Sequence, residues 1–315
     1  VPDYKSHAYK VLYQERAMSI RSILCVFGGE KNELAALNTA LSLTRTNRGR
    51  IRILHVEVPP VVYGEGTGMA AYGLVAYGDG PTIELLEQEN ANMAAAARTY
   101  AIDMCKSQGM SLAGQGTPVL NNDAQAVFRD IEASIKDCLP AEGRTTDLIV
   151  SSYDNHPDGD FAIVLTALFE TGRPVLLLPI RSDLVLSSTG YAQTLAVAWD
   201  GSLCAARALR EAVPHMRNAK DIYLLKVDDT SDGDVATTEA DILSYLRSHD
   251  VQAQILCVVR GGRSVGAALL DEVNRLQAGL IVMGAYGHGH IDEMIVGGAT
   301  DHVLKHSPVP LLLVH

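Results

Sequence analysis

The feature that most constrains this chain is that its pattern is written twice. Residues 22–27 (SILCVF) and 194–199 (TLAVAW) are short apolar runs, each leading through a polar turn into an Ala/Leu-rich helical pattern. Further runs correspond in order: 51–56 with 221–227, 147–150 with 279–282, and 174–178 (PVLLL) with 310–314 (PLLLV). Apolar runs of this length alternating with helical periods are what a parallel sheet covered on both faces produces. A repeat must be recognised before any motif is interpreted. The expected fold is therefore α/β, two tandem doubly wound (Rossmann-like) layers. Each would be a roughly five-stranded parallel sheet with helices on both faces, with ligands expected beyond the carboxyl ends of the strands.

The 315 residues suit two domains of about 150 residues each. The expected division is an N-terminal extension at 1–18, a first domain at 19–181, a linker at 182–190 and a second domain at 191–315. Residues 1–17 read as an upstream extension because Met18 precedes the first apolar run. Within the first domain, residues 59–81 are rich in Gly and Tyr without apolar periodicity and read as a long loop insertion. A net charge of −11 argues against nucleic acid as a partner, since phosphate backbones are bound through clustered Lys and Arg. The five cysteines are odd in number and scattered, with no metal-finger spacing, so reduced thiols and a cytoplasmic location are expected. No run approaches the ~18 apolar residues of a membrane span, so no membrane partner is expected.

The chemistry-bearing segment lies near the C-terminus. The run LIVMG ends on Gly284 and is followed by Ala285-Tyr286-Gly287, then by Gly297-Gly298-Ala299-Thr300 and a helical pattern to His306. A strand that stops on glycine and reopens at a glycine pair before a helix leaves bare amides, where an anion can be held without side-chain charge. Tight turns after buried strands also need glycine, so glycines alone do not decide the matter. The spacing Gly-x2-Gly-x9-Gly, with Thr in the first helical turn and SPVPLLLV beyond, resembles the ATP-binding signature of the universal stress protein family. The layout extends that resemblance over residues 19–315, the second half carrying the specific motifs. It implies an intramolecular pseudo-dimer in which the last strands of the two halves pair. PVLLL and PLLLV would be edge liabilities if left unpaired.

The resemblance also implies the site residues. Asp200, ending the first strand of the second half, would contact adenosine; read by itself, it could equally be an N-cap. Val227 would contact adenine, or is a buried strand residue. Met283 is either the floor of the base pocket or core. Gly284 and Gly287 would pass under ribose and phosphates, while Gly297, Gly298, Ala299 and Thr300 would supply amides and one hydroxyl. The implied ligand is ATP or another adenine nucleotide, with Mg as its companion ion. One departure stands out: the family pattern has Ser or Thr where this chain has Gly298. The missing hydroxyl removes a charge-assisted hydrogen bond worth about 1.5–3 kcal/mol.

The first half reads as a degenerate copy. It shows Gly28 where the second has Asp200, Ser152 where the second has Gly284, and a loop carrying Asp154, Asp158 and Asp160. No metal site is assigned to that loop, nor to His288, His290, His302 and His306, which lack a recognisable third ligand. No catalytic constellation emerges. The expected function is a cytoplasmic stress-response protein that senses or regulates through an adenine nucleotide bound in its C-terminal domain. The alternatives are an interaction scaffold of the same fold without nucleotide, and a slow adenine-nucleotide hydrolase. Protein partners are expected but not identified, and homodimerisation through another surface stays open.

Overall fold

The structure, a computed structural model, describes residues 20–57, 80–113, 124–156, 161–180, 189–227, 238–287 and 298–315. The extension at 1–18 and most of the insertion at 59–81 and of the linker at 182–190 lie outside the described residues. The first half runs β1 (Ser22–Val26), α1 (Leu34–Thr46), β2 (Arg50–Glu57), α2 (Gly80–Ser107), β3 (Leu112–Ala113), β4 (Gln125–Glu132), α3 (Ile135–Gly143), β5 (Leu148–Tyr153), α4 (Ala162–Thr171) and β6 (Val175–Pro179). The second runs β7 (Thr194–Ala198), α5 (Leu203–Glu211), α6 (Val213–Met216), β8 (Asp221–Val227), α7 (Glu239–Ser248), β9 (Gln254–Val258), α8 (Val265–Leu276), β10 (Leu280–Gly284), α9 (Ala299–His306) and β11 (Leu311–Val314). The loop expected to end at 81 already gives way to α2 at Gly80.

All strands belong to one eleven-stranded sheet, ordered β3-β4-β2-β1-β5-β6-β11-β10-β7-β8-β9. Every neighbouring pair is parallel except β6 and β11, which run antiparallel with Leu176 opposite Leu312. The strands that read as edge liabilities thus cover one another, and every residue of both is buried. Because that pairing is antiparallel, the carboxyl ends of the two sets of strands lie at opposite ends of the sheet.

The alternation of side chains along each strand sorts the core into two layers. Ile23, Ile53, Val150, Leu176, Leu312, Val282 and Leu195 lie in one layer, and Leu24, Leu54, Ile149, Leu177, Leu313 and Ile281 in the other, so both layers cross the junction between halves. On the first face α2 presents Ala94, Ala97, Ala101 and Cys105, small buried residues three or four apart that let a long helix lie close to the sheet.

The entry into the second half is pinned to the first. Tyr191, 1% exposed, accepts a hydrogen bond from Asn47 Nδ2 at 2.8 Å and packs edge-on against His215 at 5.3 Å. Gly190 has φ +79°, and a Cβ there would stand 2.7 Å from Leu43 Cγ, so this crossing needs glycine.

Candidate functional site

Asp200 follows β7 at the carboxyl edge of the second half and is exposed. Its Oδ1 accepts from Ser202 N at 2.9 Å, closing a turn over Gly201 at φ +80°. The N-cap of α5 is Ser202 and not Asp200: its Oγ accepts from Ala205 N at 3.1 Å. Asp200 is therefore not the helix cap; its carboxylate stands at the sheet edge, where it closes the turn before α5.

Gly284 ends β10 against this same helix start. A Cβ on Gly284 would lie 2.5 Å from the Cys204 carbonyl carbon and 2.6 Å from Ala205 N. The glycine is thus required by packing of α5 on β10, whatever else it does. Ala285 N donates to Val314 O at 2.8 Å, and His315 Nδ1 bonds Ala285 O at 3.0 Å, tying the loop to the end of β11. Tyr286 takes the left-handed conformation, φ +56°, rare for a bulky residue. Gly287 then returns over the start of α5, its Cβ position 3.4 Å from Ser202 Oγ and 3.5 Å from Cys204 Sγ.

The first half contributes to this loop. Phe169 of α4 stacks at 5.4 Å on Tyr286 and at 4.6 Å on His315. Burial, aided by the nearby Asp301 carboxylate, pushes the Tyr286 hydroxyl above its ordinary pKa. Because α9 joins β10 to its parallel neighbour β11, its first turn lies at the same carboxyl edge of the sheet as this loop.

At α9 the N-cap is Gly298, extended at φ −165° with no side-chain cap and nothing within 4 Å of a would-be Cβ. Ala299 and Thr300 open the helix and are half-buried. Asp301, the acid of that first turn, is paired with Lys305 at 3.0 Å, which offsets a carboxylate that would oppose an anion there. Gly297 lies outside the described residues, as do His288 and His290.

Asp200, Gly284 and Gly287 are therefore gathered at the start of α5, and Gly298, Ala299 and Thr300 stand at the start of α9, on the same edge of the sheet. Val227 is half-buried at the end of β8, opposite Val258, on the same edge. Met283 is 4% exposed and belongs to the second core layer, which accords with its reading as core. Sequence reasoning missed Ser202 as the cap, Asp301 and Phe169. The first two carry a local signal, a Ser before a helical run and an acid in the first turn; Phe169 carries none. The remaining His pair stacks within α9 at 4.4 Å, with His306 Nδ1 bonded to His302 O at 2.8 Å.

The corresponding edge of the first half is filled by acid. A Cβ at Gly28 would lie 3.1 Å from Glu33 Oε2, and this carboxylate accepts from Glu30 N at 3.2 Å. Burial pushes the Glu33 carboxyl above its usual range. After β5, Asp154 Oδ1 accepts from His156 N at 3.0 Å in a local turn, while Asp158 and Asp160 lie outside the described residues. Asn155 Nδ2 donates across the junction to Ser307 O at 3.0 Å. All five cysteines are free thiols, four buried and Cys257 exposed. Among the described residues no helix is long and apolar enough to cross a membrane.

Residues 192–315 match the model of the Universal stress protein family. A stretch of 78 residues is 39% identical to universal stress protein Rv2319c of Mycobacterium tuberculosis (strain H37Rv), covering 25% of this chain and 27% of that protein. Universal stress protein Mb2346c of Mycobacterium bovis matches to the same extent. The matched stretch thus spans about a quarter of the length of these relatives. Over 93% of this chain and 95% of the other, the fold is similar to a universal stress protein from Archaeoglobus fulgidus DSM 4304, with TM-score 0.63 and 17% identity. It is similar also to a functionally unknown protein from Pseudomonas aeruginosa PAO1, over 96% and 94% of the two chains, with TM-score 0.53 and 13% identity. At such identities the structural likeness speaks for the fold alone.

Proposed function

Residues 192–315 belong to the universal stress protein family, and from that premise we propose that the C-terminal half binds ATP or a related adenine nucleotide as a cytoplasmic sensor or regulator of the stress response. The observation that carries this reading is a glycine loop and an uncapped helix start at one edge of the sheet. The loop from Gly284 to Gly287 lies over the capped start of α5, and at the same carboxyl edge α9 opens on Gly298 with no side chain to satisfy its first amides. Such amides, with the positive end of the helix dipole, suit phosphate oxygens. Asp200 at the neighbouring strand end offers a carboxylate to ribose hydroxyls. Gly297 completes the amide set in this reading, and Val227 borders the base. Mg would enter with the phosphates of the nucleotide.

The division into a partner domain at 19–181, a linker at 182–190 and a nucleotide domain at 191–315, after an extension at 1–18, is part of the same proposal. The first half serves as a partner that braces the loop through Phe169 and offers a route by which occupancy could be read elsewhere. An interaction scaffold without nucleotide is the second reading; what favours it is Gly298, where the family's pattern has a hydroxyl. Hydrolysis has only the fold behind it. Denaturing the purified protein and identifying the released small molecule tests the proposal. Released ATP or another adenine nucleotide supports it, and turnover with added Mg²⁺ then separates enzyme from sensor. Empty protein that also fails to take up added ATP favours the scaffold.

A further inference from the structure

We propose that the first half carries a divalent-metal site of the zinc or manganese class, built from His55, Glu57 and Asp130. The topology brings these residues together. β2 and β4 are parallel neighbours in register over their whole length, with His55 opposite Asp130 and Glu57 opposite Glu132. His55 and Glu57 are two apart, so they share a face of β2. That face also carries Ile51 and Ile53 of the first core layer, so the cluster is where the layer ends at the carboxyl edge of the strands. One ligand atom from each of His55, Glu57 and Asp130 can be chosen so that all lie within 4.8 Å of one another.

The histidine is what distinguishes this cluster from a patch of solvated acids. His55 is 3% exposed, and its Nδ1 is 3.1 Å from the Phe27 carbonyl oxygen. A carbonyl can only accept, so Nδ1 carries the proton and Nε2 keeps its lone pair in the neutral ring. Among the described residues Nε2 has no hydrogen-bond partner, and no ion pair joins His55 to either carboxylate. A buried imidazole fixed through one nitrogen by a backbone carbonyl and clustered with two carboxylates has the outer-shell arrangement usual for a metal-bound histidine.

Charge favours a cation here: two carboxylates, Glu57 and Asp130, stand with His55, and a third, Glu132, is opposite Glu57 on β4. One nitrogen and two carboxylate donors suit zinc or manganese better than the all-oxygen sets of calcium. Ligands about 2.0–2.2 Å from a common zinc sit about 3.3 Å apart, so the carboxylates need close in by only roughly 1.5 Å, within the reach of side-chain rotation. Three protein ligands leave a fourth position for water. The same charges explain why this edge would not take a nucleotide: it selects the opposite sign of ligand.

The test is a calorimetric titration of the full chain with Zn²⁺ and no nucleotide, on the wild type, His55→Gln, Asp130→Asn and a His302→Gln/His306→Gln double variant. One tight Zn²⁺ per chain is expected, weakened by about tenfold or more in His55→Gln and in Asp130→Asn and unchanged in the double variant. Co²⁺ in place of Zn²⁺ should give visible absorption bands that Asp130→Asn removes. Asp130 is exposed, so its variant folds even where His55→Gln does not, and it decides the matter alone. Undiminished binding in Asp130→Asn, loss of binding in the double variant, or no binding at about 1 mM Zn²⁺ would overturn the proposal.

Discussion

If phosphates are held at the start of α9 as proposed, replacing Gly298 by Ser should strengthen their binding. Among the described residues nothing lies within 4 Å of a would-be Cβ, and φ −165° is extended backbone that any residue adopts. As N-cap of α9, a serine adds only a few tenths of a kcal/mol to stability over glycine, so the fold should barely respond. Bound phosphate should respond strongly, because a hydroxyl directed at an anionic oxygen is worth about 1.5–3 kcal/mol. At 1.4 kcal/mol per decade, that is a gain in ATP affinity of roughly 10- to 150-fold. Calorimetric titration of Gly298→Ser and wild type with ATP measures it, and denaturant unfolding of both checks that stability is nearly constant. An unchanged affinity in a folded Gly298→Ser protein would refute the placement of phosphates at the start of α9.

Three further outcomes follow from the geometry. Gly284→Ala should lower stability by about 1–3 kcal/mol with or without ATP, because its Cβ would meet Cys204 and Ala205 of α5; an unfolding midpoint equal to wild type would show that α5 does not pack as described. Phe169→Ala removes an aromatic contact worth about 0.5–1.5 kcal/mol and should reduce ATP affinity by up to about tenfold without abolishing it, so affinity equal to wild type would detach the first half from the site. Burial lowers the pKa of His215 from 6.5 to about 4, so the unfolded chain takes up this proton first. Its contribution is full above about pH 6.5 and falls by about 3 kcal/mol as pH drops to about 4. The difference in unfolding free energy between wild type and His215→Gln should follow that window, and a flat difference would contradict the burial.

Much of this architecture was legible because buried parallel strands leave a strong mark. Runs such as LIVMG and PVLLL cannot be solvent-facing, and their recurrence in the same order revealed both halves and the junction between β6 and β11. The glycine loop was legible only in part. Gly284 reads as a place where a ligand approaches, and the structure adds a second demand: its Cβ would meet Cys204, eighty residues earlier in the chain, a contact that no local spacing encodes. Asp200 could be read as a helix cap until Ser202 proved to hold that place. Met283 reads as floor or core, since a methionine at a strand end suits either, and its burial is compatible with both. His55, Glu57 and Asp130 escaped notice because only strand register unites them, and Phe169 because it reaches the site from the other half.

The central claim is that one nucleotide site exists per chain and that it lies in the second half. Calorimetric titration of the full chain with ATP, in wild type and in Asp200→Ala, tests it most directly. The account predicts a single site in the wild type, weakened by about 1.5–3 kcal/mol in Asp200→Ala through loss of a charge-assisted hydrogen bond to ribose. Two equivalent sites, undiminished affinity in Asp200→Ala, or no binding at millimolar ATP would contradict it.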